Sequence, residues 1–206
     1  MPPRPSTARP KPGTIGAVAT TAPTTLGATF LLQYLKAPAL VGAVAPSSDG
    51  LARAMSQRAH GFGTILELGA GTGAITRQLV ADHPATPLLL FEHDARLART
   101  LAHRFPARFV YSGCVHEQAR AMLDVPADTV AVSSLPFRSL PASVRAPTQA
   151  LIEDFLLASP NRRLVQFTYG RGVPFVTHRH ALKWKLSQRV WRNVPPAAVW
   201  VLQQEQ

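Results

Sequence analysis

Apolar residues in this chain gather in short runs, and the segments between those runs have helical period. The run Thr64 to Leu68 stops at a glycine-rich turn, Gly69-Ala70-Gly71-Thr72-Gly73. A short apolar run bounded by glycines reads as a buried strand, and the pattern from Ala74 to Ala81 reads as the helix that follows it. The same alternation continues downstream. Strands are predicted over Pro87 to Glu92, Phe109 to Tyr111, Thr129 to Ser133 and Arg163 to Thr168. Helices are predicted over Asp94 to Phe105, His116 to Leu123 and Ala142 to Ala158, with Asp94 as a cap. Upstream, Ser47 or Ser48 is placed to cap a helix from Asp49 to His60. Gly170 to Trp184 reads as loop. Leu186 to Trp191 and Ala198 to Leu202 read as a hairpin split by Asn193-Val194-Pro195-Pro196. Strands alternating with helices predict an α/β domain with a parallel sheet covered on both faces.

The first residues break this pattern. Residues 1–24 are rich in Pro, Thr and Ala and carry Arg4, Arg9 and Lys11, which reads as a disordered basic arm. Residues 25–206 then form one domain, opened by an amphipathic helix over 25–36. Its Leu26, Phe30 and Tyr34 recur every fourth residue, with Leu31 and Leu35 beside them. No charge occurs between Lys11 and Lys36, yet the prolines, glycines and threonines there do not suit a membrane span. Two readings of the helix stand open: a cap on the core, or a helix lying in a membrane interface.

Charge narrows the partners. The 206 residues include 22 Lys and Arg against 11 Asp and Glu, a net charge of +11. That favours a polyanionic partner, either nucleic acid or an anionic lipid surface. The cations are mostly single arginines rather than blocks, which does not suit a nucleic-acid-binding tail. The single cysteine, Cys114, excludes an intrachain disulfide and fits a reducing compartment.

The glycine turn carries the chemistry. A dinucleotide fingerprint needs Gly-x-Gly-x-x-Gly, and here the third glycine comes one residue early. A phosphate-binding loop needs Gly-Lys-Ser/Thr, which is absent. Glu67 beside the turn would repel a pyrophosphate but suits a cationic ligand. Glu92 ends the next strand and is placed to hold ribose hydroxyls. The string Glu67-Leu68-Gly69-Ala70-Gly71-Thr72-Gly73 resembles motif I of class I methyltransferases that use S-adenosylmethionine.

Four further strings extend the likeness: Lys36 to Ser48, Ser133-Ser134-Leu135-Pro136, Val165 to Gly170, and Val190 to Trp200. Together with the glycine turn they resemble the bacterial phospholipid N-methyltransferases, over roughly residues 26–202. The resemblance implies a class I (Rossmann-like) fold, a mostly parallel seven-stranded sheet with helices on both faces and a C-terminal antiparallel hairpin. It implies methylation of phosphatidylethanolamine toward phosphatidylcholine. The enzyme would be cytoplasmic, peripherally bound to the inner face of an anionic membrane, with no stable nucleic-acid partner and no metal.

Residue by residue, the resemblance gives Glu67, Gly69, Gly71, Gly73 and Glu92 to S-adenosylmethionine. Gly113 and Cys114 stand where such enzymes often carry Gly-Asp. A thiol is a poor substitute for that acceptor, so a backbone group, His116 or Glu117 takes over, or affinity falls. Cys114 also reads as a small buried apolar residue. Ser133 and Ser134 would sit where methyl donor meets amine, and Tyr169, His178 and His180 are the candidates for handling its proton. Tyr34, Phe137, Tyr169 and Trp191 are candidates for an aromatic surface around a methylated head group, although Phe137 and Trp191 equally read as core. Phe30, Tyr34, Arg171, Arg179 and Lys183 would meet lipid. Other readings are an RNA adenine N6-methyltransferase, methylation of an ornithine lipid, and a binding protein built on a degenerate methyltransferase fold.

Overall fold

The computed structural model describes residues 45–169, 172–193 and 196–205. The arm over 1–24, the helix over 25–36 with Phe30 and Tyr34, and Arg171 lie outside these residues. A helix, α1 (Ala45–Ser56), runs into a short 3-10 turn, Gln57–Ala59. It starts earlier than the serine cap predicted. Pro46 lies in its first turn, where a missing backbone N–H costs nothing, so Ser47 and Ser48 fall inside the helix.

The alternation then proceeds as β1 (Thr64–Leu68), α2 (Ala74–Asp82), β2 (Leu88–Glu92), α3 (Ala95–Arg104) and β3 (Phe109–Ser112). A 3-10 turn (Val115–Gln118) leads into α4 (Ala119–Leu123), β4 (Thr129–Ser133), α5 (Ala142–Leu157) and β5 (Arg163–Tyr169). Two antiparallel strands close the chain, β6 (Leu182–Val190) and β7 (Ala197–Gln204). The sheet order is β3-β2-β1-β4-β5-β7-β6, with the first five strands parallel. This is the mostly parallel seven-stranded sheet with a C-terminal hairpin that the sequence predicts.

Every residue of β1 and β4 is buried, as a central parallel strand requires. Alternate side chains feed two cores. Ile65, Leu90 and Val132 join Met55, Leu79 and Leu101 on the face covered by α1, α2 and α3. Leu66, Phe91 and Ala131 join Met122, Ile152 and Phe155 on the face covered by α4 and α5.

Register fixes which end of the sheet each late segment reaches. Tyr169, at the carboxyl end of β5, pairs with Ala197, which pairs with Val190. The β6–β7 turn therefore lies at the carboxyl end of the parallel strands. Leu182 pairs with Gln204 at the other end, since Leu202 faces Leu164 near the start of β5. The segment joining β5 to β6 must thus travel the length of the sheet, roughly 25 Å at strand rise. It runs along α5. The Gln149 amide donates to the Val176 carbonyl at 2.7 Å, and the His178 N–H donates to the buried Glu153 carboxylate at 3.0 Å.

Arg162 locks the same region. Its side chain lies under two helix ends, donating to the carbonyls of Phe155 and Leu123 at 3.2 Å and also to that of Val125, with its guanidinium 4.8 Å from the Phe155 ring. A cation at the negative ends of two helices is favourable, and arginine keeps its charge even when burial lowers its pKa. Arg162→Ala would strand three carbonyls and should cost about 3 kcal/mol, a fall of near 10 °C in Tm. Thermal denaturation followed by circular dichroism checks this; a shift under about 2 °C would mean that water replaces the guanidinium without loss.

Candidate functional site

Ligands of open parallel sheets sit beyond the carboxyl ends of the strands, and the glycine turn lies there, between β1 and α2. The turn is folded against β2. Gly69 and Ala70 donate their N–H groups to the Phe91 carbonyl at 2.8 and 3.1 Å. Gly69 and Gly73 have φ of 77° and 81°, the left-handed region that favours glycine. A Cβ on Gly73 would also lie 3.0 Å from the Phe105 ring and 3.1 Å from Leu101, so α2 starts hard against α3. The α2 N-cap has no side-chain hydrogen bond, which leaves its first-turn N–H groups without a side-chain acceptor at that position.

Glu92 and Glu67 behave differently. The Glu92 carboxylate accepts from the Gly71 N–H at 2.7 Å and from the Asp94 N–H at 2.8 Å. Each oxygen keeps a second lone pair, so holding the loop does not by itself exclude ligand hydroxyls. Glu67 is fully buried on β1, and neither carboxylate oxygen has a hydrogen-bond partner among the described residues. Burial pushes its pKa up to about 8; the nearby Thr76 hydroxyl and N–H draw it back only in part, falling short of hydrogen-bond geometry, and Glu92 adds a small repulsion. A buried carboxylate with no partner either keeps a proton or meets a cation.

At the end of β3, Gly113 donates to the Glu92 carbonyl at 3.0 Å. Cys114 follows, half-buried, with its thiol 3.3 Å from His93 Nδ1 and its N–H donating to the Glu117 carboxylate at 3.0 Å. Burial, and then Glu117, raise the thiol pKa. Cys114 is thus not the buried apolar residue of one sequence reading.

Ser133 is fully buried at the end of β4, and its hydroxyl accepts from the Leu135 N–H at 3.2 Å, closing the turn. Ser134 is the more open of the two serines. It lines a cavity of about 40 Å³ with residues 135–139, 166–169 and Pro174. Phe137, one of these lining residues, is otherwise buried and packs against Phe175 with ring centroids 4.5 Å apart, as its reading as core expects. Tyr169 reaches the same cavity; burial raises its phenol pKa, with a hydrogen bond to Asn193 acting the other way. It therefore stays protonated near neutral pH and is unsuited to act as a base.

Gln166, given no role by the sequence reading, is the most telling side chain of this cavity. It is 2% exposed. Its amide nitrogen donates to the Leu135 and Phe167 carbonyls at 3.0 and 3.2 Å, while Oε1 is buried and has no hydrogen-bond partner among the described residues. Two carbonyl partners on one atom fix which end of the amide is nitrogen. The only advance signal is an amide side chain in the middle of the apolar run Leu164-Val165-Gln166-Phe167.

The basic segment falls elsewhere. His180, His178, Arg179 and Lys183 lie toward the amino-terminal end of the parallel strands, away from the glycine turn, because the chain must travel there to start β6. His180 as a proton acceptor for chemistry at Ser134 is corrected by this placement. Arg179 is paired with Asp154 at 3.1 Å and Lys183 with Glu205 at 3.6 Å. Among the described residues, the cations on the site's side of the β6–β7 hairpin are instead Arg189 and Arg192, flanking Trp191, which is 71% exposed.

Glu67 generates a pH signature. The folded chain holds a proton between the ordinary carboxyl value of 4.5 and about 8, where the unfolded chain has released it. The stability associated with that proton is complete below pH 4.5 and is lost as pH rises toward 8. Glu67→Gln should therefore gain stability over the parent as pH rises from 5 to 9, by an amount on the order of a few kcal/mol, read as a widening difference in Tm. Parallel melting curves of parent and variant that keep a constant separation across this range would contradict it.

No protein-family profile matches the chain, and no curated protein matches it. Solved structures do. A TehB-like SAM-dependent methyltransferase from Corynebacterium glutamicum superposes with a TM-score of 0.58 at 19% identity, covering 87% of this chain and 98% of that one. The 1,6-didemethyltoxoflavin-N1-methyltransferase of Burkholderia thailandensis, with bound S-adenosylhomocysteine, gives 0.59 at 17%, covering 88% of each chain. An O-methyltransferase from Bacillus cereus in complex with the same nucleoside gives 0.54 at 13%, covering 89% and 92%. These likenesses agree with the strand order and the position of the glycine turn: the fold is that of the class I, Rossmann-like SAM-dependent methyltransferases.

Proposed function

We propose that this protein transfers methyl groups from S-adenosylmethionine to the amino head group of a membrane phospholipid, phosphatidylethanolamine first among them. The methyltransferase fold supports the donor. So does the unpartnered carboxylate of Glu67, which a cationic ligand would complement. Glu67 and the turn Gly69 to Gly73 would hold the donor's amino-acid end, Glu92 its ribose, and the Gly113–Glu117 turn its adenine. When bound, S-adenosylmethionine supplies an electrophilic methyl group on a sulfonium.

One observation carries the choice of an amine as acceptor. The cavity beside Ser134 presents a buried, unpartnered acceptor, Gln166 Oε1, and among its described lining residues there is no histidine or carboxylate. A hydroxyl acceptor would need a base to become nucleophilic. An ammonium gives up its proton to water far more readily than an alcohol does, and a desolvating cavity favours the neutral amine, which then has its own lone pair and N–H groups to give to acceptors. Gln166 Oε1 and the Ser134 carbonyl or hydroxyl would orient those N–H groups, and the surplus proton would pass to water. At about 40 Å³ the cavity holds little more than a water or two, so a head group requires it to widen.

The lipid part of the proposal is supported by the sequence strings, by the net charge of +11, and by Trp191 between Arg189 and Arg192 at the site's end of the sheet. An exposed indole flanked by arginines suits the boundary between head groups and acyl chains. The enzyme would then work at the cytoplasmic face of an anionic membrane. Among the described residues, no helix is long and apolar enough to cross it.

With labelled S-adenosylmethionine, label should enter phosphatidylethanolamine in anionic vesicles and not total RNA. Gln166→Met should lower kcat/KM about a hundredfold with cofactor affinity unchanged by calorimetry. Trp191→Ser should reduce flotation with vesicles while leaving cofactor affinity alone. Label in RNA would overturn the acceptor; label in an ornithine lipid alone would overturn phosphatidylethanolamine.

A further inference from the structure

Three metal-binding side chains converge where the chain leaves β3, beside the glycine turn but not in it, and a fourth, from the end of β2, approaches one of them. The ligand atoms of Cys114, His116 and Glu117 lie within 4.8 Å of one another. His93, from the β2–α3 turn, brings Nδ1 to 3.3 Å from the Cys114 sulfur. The two turns are held together, since the Gly113 N–H donates to the Glu92 carbonyl. From these residues we infer a binding site for a divalent cation of the zinc class, ligated by the Cys114 thiolate, His116, Glu117 and His93.

The geometry suits a tetrahedral ion. With a metal–sulfur distance of about 2.3 Å and a metal–nitrogen distance of about 2.0 Å, a tetrahedral S···N edge is about 3.5 Å. The His93–Cys114 separation is close to that edge. His116 Nδ1 lies 3.3 Å from the hydroxyl of Thr148, a buried residue of α5. With its proton on Nδ1 and donated to that hydroxyl, His116 would have Nε2 to offer a metal, the usual arrangement for ligating histidines. Glu117 spends one oxygen on the Cys114 N–H and keeps the other. Closing the remaining edges takes side-chain rotation at groups that are exposed or half-exposed, with no movement of a strand.

The donor set selects the ion. A thiolate with two imidazoles and one carboxylate favours Zn²⁺ or Co²⁺ over Mg²⁺ or Ca²⁺, which prefer all-oxygen shells. Thiolate and carboxylate together would neutralise a divalent charge. The bound ion would clip the β2–α3 turn to the start of the 3-10 turn; because this is the turn proposed to meet adenine, Zn²⁺ and S-adenosylmethionine would compete for it, and the site itself stands independently of which acceptor is methylated.

The probes are Co²⁺ and Zn²⁺ added to the metal-stripped, untagged full chain. Co²⁺ should bind one per chain and give a thiolate-to-cobalt charge-transfer band with the strong visible bands of a tetrahedral site. Zn²⁺ should displace it and shield Cys114 from a thiol reagent. Cys114→Ser should abolish the charge-transfer band, and His116→Ala should weaken Zn²⁺ binding about 10- to 100-fold. Glu117→Gln keeps the acceptor for the Cys114 N–H and so separates loss of a ligand from loss of the turn. It should also weaken Zn²⁺. Absence of the charge-transfer band in the parent chain, or thiol reactivity unchanged by Zn²⁺, would overturn the site without recourse to any variant.

Discussion

The Glu92 carboxylate is the joint on which the ligand end of this sheet depends. One buried side chain accepts from the glycine turn and from the start of α3, while its own backbone carbonyl accepts from Gly113 after β3. Three turns that share no sequence neighbourhood are fixed by one residue. Hydrogen bonds to a carboxylate are worth about 1.5–3 kcal/mol each, enough to hold a glycine-rich turn that its own sequence leaves free. The position of the turn then sets where α2 begins, and Asp94, positioned by the same carboxylate, caps α3.

Glu67, one strand over, has the opposite circumstances. It faces the start of α2, and no donor among the described residues satisfies it. The pair divides the labour of the site: one acid maintains the shape of the turn, and the other holds unspent affinity for a cation. The acceptor side follows the same logic. Gln166 spends its amide nitrogen on the local backbone and leaves its oxygen unspent toward the cavity. Both features ask for ligands that bring positive charge or N–H groups, which is why an amine acceptor and a sulfonium donor form a consistent set.

The parallel half of the sheet was legible because a glycine or an acid marks the ends of β1, β2, β3 and β5, and buried parallel strands read as continuous apolar runs. Thr64 to Leu68 and Thr129 to Ser133 match their strands residue for residue. The beginning of β6 was not legible. Leu182, Lys183, Trp184 and Lys185 alternate on a strand at the sheet edge, and their charges resemble a loop. Placing that stretch in a loop put His180, Arg179 and Lys183 near the site, since sequence order carries no information about which end of a sheet a crossing segment reaches. Arg162 and Gln166 were invisible for another reason. Their importance lies in which carbonyls they meet, and those carbonyls come from distant parts of the chain.

The antiparallel hairpin leaves β6 as an outer strand of nine residues, long enough to recruit a strand from another molecule. Lys183, Lys185 and Arg189 are exposed along it, and a β-bulge interrupts its register between Leu186 and Gln188. A second copy pairing edge to edge would have to bury or juxtapose those cations and match an irregular ladder. The opposite edge, β3, is only four residues long, although Phe109 stands 70% exposed on it. Resistance to aggregation is therefore built in by charge and irregularity at one margin and by brevity at the other.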